Sequence, residues 1–93
     1  MAYIRVVQAT YDPARAEEVT RLQGAFTSAI QRLPGLLQFY GGVDRDAGKT
    51  IAITIFDTKE HASFGPERLG DIGAQLRAAG MQIEGPAIYE AVE

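Results

Sequence analysis

The stretch Lys49–Asp57, Lys-Thr-Ile-Ala-Ile-Thr-Ile-Phe-Asp, limits the folding choices of this chain more than any other. It alternates with period two, which puts Ile51, Ile53 and Ile55 on one face and Thr50, Ala52, Thr54 and Phe56 on the other. Its β-branched residues suit a pleated strand and disfavour a helix, where their χ1 freedom is lost against the preceding turn. Both rows are largely apolar, so both faces need cover, as in a central strand of a sheet. The rows differ in volume. One offers three bulky, stiff side chains; the other offers small groups with a single aromatic at its end.

The rest of the chain can be laid out around that strand. Ala2–Thr10 reads as a first strand, also apolar on both faces through Tyr3, Ile4, Val6 and Val7, with Gln8 as a polar residue within it. Asp12-Pro13 starts a helix, Asp12 as N-cap and Pro13 at the first helical position, where a missing N–H costs nothing. Val19, Leu22, Phe26, Ile30 and Leu33 then form one amphipathic stripe, and Pro34-Gly35 ends it. Leu36–Arg45 is a second strand, and Gly41-Gly42 predicts a bulge or bend there in preference to a ligand approach. Asp44 to Lys49 is a tight reversal with Gly48 at positive φ.

Beyond the central strand, Asp57-Thr58-Lys59-Glu60 has the form of a capping box with Asp57 as N-cap. Gly65-Pro66 interrupts the second helix, which restarts with Pro66 near its new first position. Leu69, Ile72, Leu76 and Ala79 are its buried stripe, and Gly80 stops it. Met81–Val92 is a final strand, bent or bulged at Gly85-Pro86, and proline there fits a sheet edge. The order is β-α-β-β-α-β. With right-handed crossovers this is the ferredoxin-like α+β arrangement: a four-stranded antiparallel sheet, two helices on one face, and the first and third strands central.

Two helices cover one face only, and the bare face is too apolar to stay wet. A second copy of the sheet is the economical cover, so a symmetric homodimer is expected, each isoleucine contributing about 2 kcal/mol on full burial. Ninety-three residues make one domain, 1–93, with a thin core that such association would support. The chain has no cysteine, which leaves no disulfide or thiolate chemistry and fits a cytoplasmic setting. A net charge of −3 with both signs interspersed argues against nucleic acid or an anionic membrane as partner. No apolar run approaches the roughly 20 residues that span a bilayer, and the opening Met-Ala-Tyr-Ile-Arg-Val-Val reads as strand rather than secretory leader.

Pro34-Gly35-Leu36, Val43-Asp44-Arg45, and Gly48-Lys49 leading into Ile53 to Glu60 resemble the antibiotic biosynthesis monooxygenase (ABM) domain of the dimeric α/β-barrel superfamily. The resemblance implies a ferredoxin-like subunit, a dimer made sheet to sheet, and a cavity between sheet and helices. It also implies an activity: cofactor-independent oxidation of a small aromatic or quinol-like substrate, with non-catalytic ligand binding on the same scaffold as the alternative. Members of the family usually carry Trp where Phe56 stands, bordering the cavity. The resemblance therefore implies that Phe56, Thr54 and Ala52 line the pocket and that the isoleucines meet in the dimer. It also sets Gln8 near a position where haem-degrading relatives have a catalytic Asn. This chain has no Trp, no Asn and a single His, so the haem-degrading pattern is not met.

These readings make Gln8 and Thr54 the expected catalytic pair, with Phe56, Ala52, Phe26, Tyr40 and His61 as substrate contacts. No metal site and no cofactor are expected. Haem binding through His61 is a lesser reading, because that residue opens the second helix, where a surface or capping role suits it better. Tyr3, Tyr11, Tyr40 and Tyr89 could each donate to a substrate oxygen, though packing with a wet hydroxyl is the plainer role for a strand tyrosine. Phe26 and Phe64 are read chiefly as core. Arg5 could bind an anion if it faced inward, but solvent is its expected direction. No phosphate loop, paired-carboxylate site or oriented nucleophile is present in the sequence pattern.

Overall fold

Two adjacent strands carry the pattern that the sequence made most plain. In the computed structural model, which describes residues 1–92 apart from the side chain of Pro66, β1 is Tyr3–Thr10 and β3 is Lys49–Phe56. They pair antiparallel, Tyr3 opposite Phe56, Arg5 opposite Thr54, Val7 opposite Ala52 and Ala9 opposite Thr50. The edges are β2, Leu36–Asp44, beside β3, and β4, Gln82–Glu90, beside β1, so the order is β2-β3-β1-β4. With its helices on one face this is the ferredoxin-like α+β fold, β1 and β3 central.

The connections show why each element begins and ends where it does. The Asp12 side chain accepts from the Ala14 N–H, and Pro13–Arg15 forms a 3-10 turn that leads into α1, Ala16–Ile30. The helix stops at Ile30 and a turn carries the chain on, so Leu33 is buried without being helical. Gly48, at φ +68°, closes the β2–β3 hairpin: its N–H donates to Asp44 O at 2.9 Å and its carbonyl accepts from the Tyr11 N–H at 2.8 Å. A side chain there would run into the Tyr11 carbonyl.

Three details differ from expectation. The sheet runs unbroken through Gly41-Gly42; the irregularity in β2 falls at Leu36–Gln38, beside the turn where Gly35 O accepts from the Asp57 N–H at 2.9 Å. The cap of α2, Lys59–Ala62, is Thr58, whose hydroxyl accepts from the His61 N–H; the Asp57 carboxylate is occupied instead by the His61 ring. The restart after Gly65 is itself divided, a 3-10 turn over Pro66–Leu69 and then α3, Ile72–Ala78, with Gly70 at positive φ between them. The last strand does bulge at Gly85-Pro86, as its sequence predicts: these two residues oppose Val7 alone, between the Val6–Ala87 and Gln8–Glu84 pairs, on the sheet edge.

Strand register sorts the side chains. Tyr3, Arg5, Val7 and Ala9 share the helix-covered face with Thr50, Ala52, Thr54 and Phe56. Ile4, Val6, Gln8, Ile51, Ile53 and Ile55 lie on the open face, and Tyr40 opposite Ile53 and Tyr89 opposite Ile4 flank them, each more than half exposed. The three isoleucines are half-buried within one subunit, so each retains only part of its burial to be gained from a partner. Under the helices the core is in two parts. Ala9, Tyr11, Val19, Ile72, Leu76 and Met81 form one cluster, and Ile30, Leu33, Phe56 and Ala62 the other. Phe26 and Leu69 touch both. No helix among the described residues is long and apolar enough to cross a membrane.

Candidate functional site

Between sheet and helices lies a cavity of about 410 Å³, within the range of small-molecule sites. Its origin is visible in the strand sequences. Toward the end of the sheet near the β2–β3 hairpin, the covered face carries Thr50, Ala52 and Gly41, which are too small to fill the space up to the helices. Toward the other end Tyr3, Leu36, Phe39 and Phe56 do fill the gap. From the helical side Gln23, Phe26 and Thr27 of α1, and Gly73, Leu76 and Arg77 of α3, complete the wall, with Phe64 and Leu69 from the segment between α2 and α3. Exposed Val43, Arg77 and Pro86 mark the rim.

The floor holds a residue that sequence reasoning sent to solvent. Arg5 points inward from β1 and is 9 % exposed. Its guanidinium carbon stands 3.9 Å from the centre of the Phe64 ring, a cation–π contact, and Phe64 in turn tilts against Phe56 with ring centres 5.8 Å apart. Among the described residues its buried Nε has no hydrogen-bond partner and no carboxylate pairs with its head. Burial lowers its pKa, yet a guanidinium stays protonated throughout the accessible pH range. The cavity therefore carries a desolvated positive charge at its base and a second arginine, Arg77, at its mouth, and among the described residues no Asp or Glu lines it.

The expected site residues scatter. Ala52 and Phe26 line the cavity. Thr54 lies on the same face, but it is 2 % exposed and its hydroxyl donates to the Arg5 carbonyl at 3.4 Å, beneath the cavity floor. Phe56 is fully buried among Ile30, Leu33 and Ala62, and Phe64 is the ring that borders the space in its stead. Gln8 faces the opposite side of the sheet, exposed, between Ile51 and Glu84. Tyr40 is on that open face too, 55 % exposed, its hydroxyl donating to Gln38 Oε1. Gln8 and Tyr40 have the wrong strand parity to enter the cavity.

His61 is also outside it. Its Nδ1 lies 2.6 Å from Asp57 Oδ1, and since a carboxylate only accepts, the ring nitrogen donates. That hydrogen bond holds the Asp57 carboxyl below its ordinary value. Gly35, at φ +79°, packs directly against the pair, where a β-carbon would collide with both side chains. Pro34-Gly35, Asp57 and His61 thus form a structural clasp between the end of β3 and the turn before β2. Among the described residues no group of three or more metal-ligating side chains is close enough to hold an ion.

Sequence reasoning missed Arg5, and it read Phe64 chiefly as core. The available signal was parity, since Arg5 shares its face with Val7 and Ala9. Which face of β1 is covered depends on its register with β3, and nothing local to β1 states that register.

No family model matches the sequence, and no curated protein matches it. Solved structures do match. A mutant of SnoaB, a cofactor-independent oxygenase from Streptomyces nogalater, superposes with a TM-score of 0.78 at 21% identity, over 99% of this chain and 94% of that one. A candidate antibiotic biosynthesis monooxygenase from Deinococcus radiodurans gives 0.81 at 16%, covering 98% and 93%. A further antibiotic biosynthesis monooxygenase gives 0.73 at 16% over the whole of both chains. At these identities the likeness is one of fold, and the fold is that of an ABM-like domain.

Proposed function

We propose that this chain, as one domain over residues 1–93, is a cofactor-independent monooxygenase for a small aromatic, quinol-like substrate, and that it works as a homodimer joined through its open sheet face. The observation that carries the reading is the cavity, about 410 Å³ and walled by Phe26, Phe39 and Phe64, in a fold shared with an oxygenase that needs no cofactor. In such chemistry the ionised substrate itself reduces oxygen. One oxygen atom enters an activated ring carbon as a carbonyl, and the two hydrogens of that carbon leave with the other atom as water. The protein's part is to hold the substrate dry, flat and anionic. Phe26 and Ala52 supply the apolar contact, and the Arg5 charge favours the ionised form. With no cysteine to oxidise, a cytoplasmic setting suits the chain.

The test is oxygen uptake by the purified protein with a panel of hydroquinols and anthrone-like ketones. Uptake above the no-protein control is the expected result, with one carbonyl gained per oxygen consumed for the anthrone-like ketones, whose activated CH2 carbon the step requires. No uptake with any member of the panel would overturn the reading. Binding without catalysis on the same scaffold is a second reading, favoured by one observation: among the described residues no carboxylate, histidine or tyrosine lines the cavity to act as a base. It expects thermal stabilisation by an aromatic ligand with no turnover.

A further inference from the structure

From the buried guanidinium we infer that the cavity is selective for apolar aromatic monoanions, and that Arg5 anchors the anionic oxygen of the ligand against the face of Phe64. This deepens the oxygenase reading by naming the form of the substrate, but it rests on the cavity alone and holds equally for a protein that only binds.

Arg5 is nine-tenths buried on a central strand, where a charged head normally requires a carboxylate. Among the described residues it has none, and its Nε is left without a partner. Removing an ion from water without compensation is among the most unfavourable things a fold can contain, so a position that tolerates it is a candidate for function. Here the compensation available within the subunit is the Phe64 ring, 3.9 Å from the guanidinium carbon. A ring stacked on one flat side leaves the N–H edge of the guanidinium for hydrogen bonding in its own plane, the geometry that a carboxylate or a phenolate oxygen accepts.

The surroundings agree with this polarity. The whole chain carries a net charge of −3, yet among the described residues its cavity is lined by two arginines and no acid. The charged side chains that line the cavity are thus opposite in sign to the net charge of the chain. An anion entering past Arg77 moves toward Arg5 through walls of Phe26, Val7 and Ala52, which reward an aromatic body and offer a neutral polar ligand little. A cation would meet two like charges and no partner. A dianion would leave a second charge unpaired among apolar walls.

The experiment is calorimetric titration of the full chain with a matched set: 2-naphthoate, naphthalene-2-carboxamide and 2-naphthol. The carboxylate is expected to bind at least about ten-fold more tightly than the amide of the same shape. The preference should vanish in Arg5→Met, which keeps the length and apolar stem while removing the charge, and should be partly restored in Arg5→Lys. Arg77→Gln, at the rim, should keep most of it. The 2-naphthol arm separates the two sources of anion. If its spectrum in the complex is that of naphtholate at a pH where the free compound is neutral, and this change is absent in Arg5→Met, the site takes ionised phenols as well as carboxylates. If naphtholate does not form while naphthoate is preferred, the ligand is a carboxylate. Equal affinity for acid and amide, an undiminished preference in Arg5→Met, or no binding of either anion would overturn the inference. None of these readouts uses oxygen, so failure of the oxygenase assay leaves the anion preference standing, and the reverse.

Discussion

Replacing Ile53 separates the proposed dimer from the fold of one subunit. Its side chain points to the open face from the middle of β3, between Val6 on β1 and Tyr40 on β2, and away from the helices. Full burial of an isoleucine is worth about 2 kcal/mol, but Ile53 is already half-covered by its own sheet, so about 1 kcal/mol per copy remains to be gained at an interface. An isologous interface counts the residue twice. Ile53→Thr, which keeps the β-branch, should therefore weaken the dimer by about 2 kcal/mol, or about thirty-fold. Ile53→Lys must also strip water from an ammonium on each side. At about 2 kcal/mol more apiece the total is about 6 kcal/mol, some four decades in the dissociation constant. Sedimentation velocity across the micromolar range reads the dimer, and far-ultraviolet circular dichroism shows that each subunit is still folded. A wild-type chain that sediments as a lone subunit at micromolar concentration, or an Ile53→Lys dimer as tight as wild type, would refute the reasoning.

Three further perturbations address the interior and the clasp. Ala52→Phe fills the cavity from its floor; thermal denaturation should show unchanged or modestly raised stability, up to about 1 kcal/mol, while stabilisation by aromatic ligands is lost. Retained ligand stabilisation would place binding elsewhere. Gly35→Ala forces a β-carbon into the Asp57–His61 pair at a positive φ and should destabilise by about 2 kcal/mol in urea melts, with no change in the oligomer. The Asp57 carboxyl lies below its ordinary 3.8 because His61 donates to its charged form, so its contribution to stability is complete above that value and disappears as pH falls through the lower folded value. The gap in melting temperature between wild type and Asp57→Asn should thus be present at neutral pH and close in acid; a gap that widens in acid would contradict the sign.

The strand pattern explains why so much of the fold was legible. Alternation in Lys49–Asp57 and Ala2–Thr10 states that both faces of both strands are apolar, and a strand buried on both sides has to be central. Gly48 and Gly80 end their segments because each sits at positive φ, a requirement that is local and therefore readable. The failures were also specific. Asp57 and Thr58 are both good caps, and the choice between them turned on His61 taking the carboxylate. Gly41-Gly42 looked like a bulge, but its glycines instead thin the wall of the cavity.

By itself, then, the sequence determined the order of elements, the two central strands and the presence of a small-residue row that leaves space beneath the helices, because each follows from the period and volume of neighbouring residues. Only the tertiary structure decided what faces that space. Side-chain direction along β1 is settled by its register with β3, which is a property of two segments some fifty residues apart, and a shift of one residue exchanges every side chain between the faces. That register sends Gln8 to the open side, stacks Arg5 over Phe64, and so makes an apolar hollow into one with a positive charge at its base.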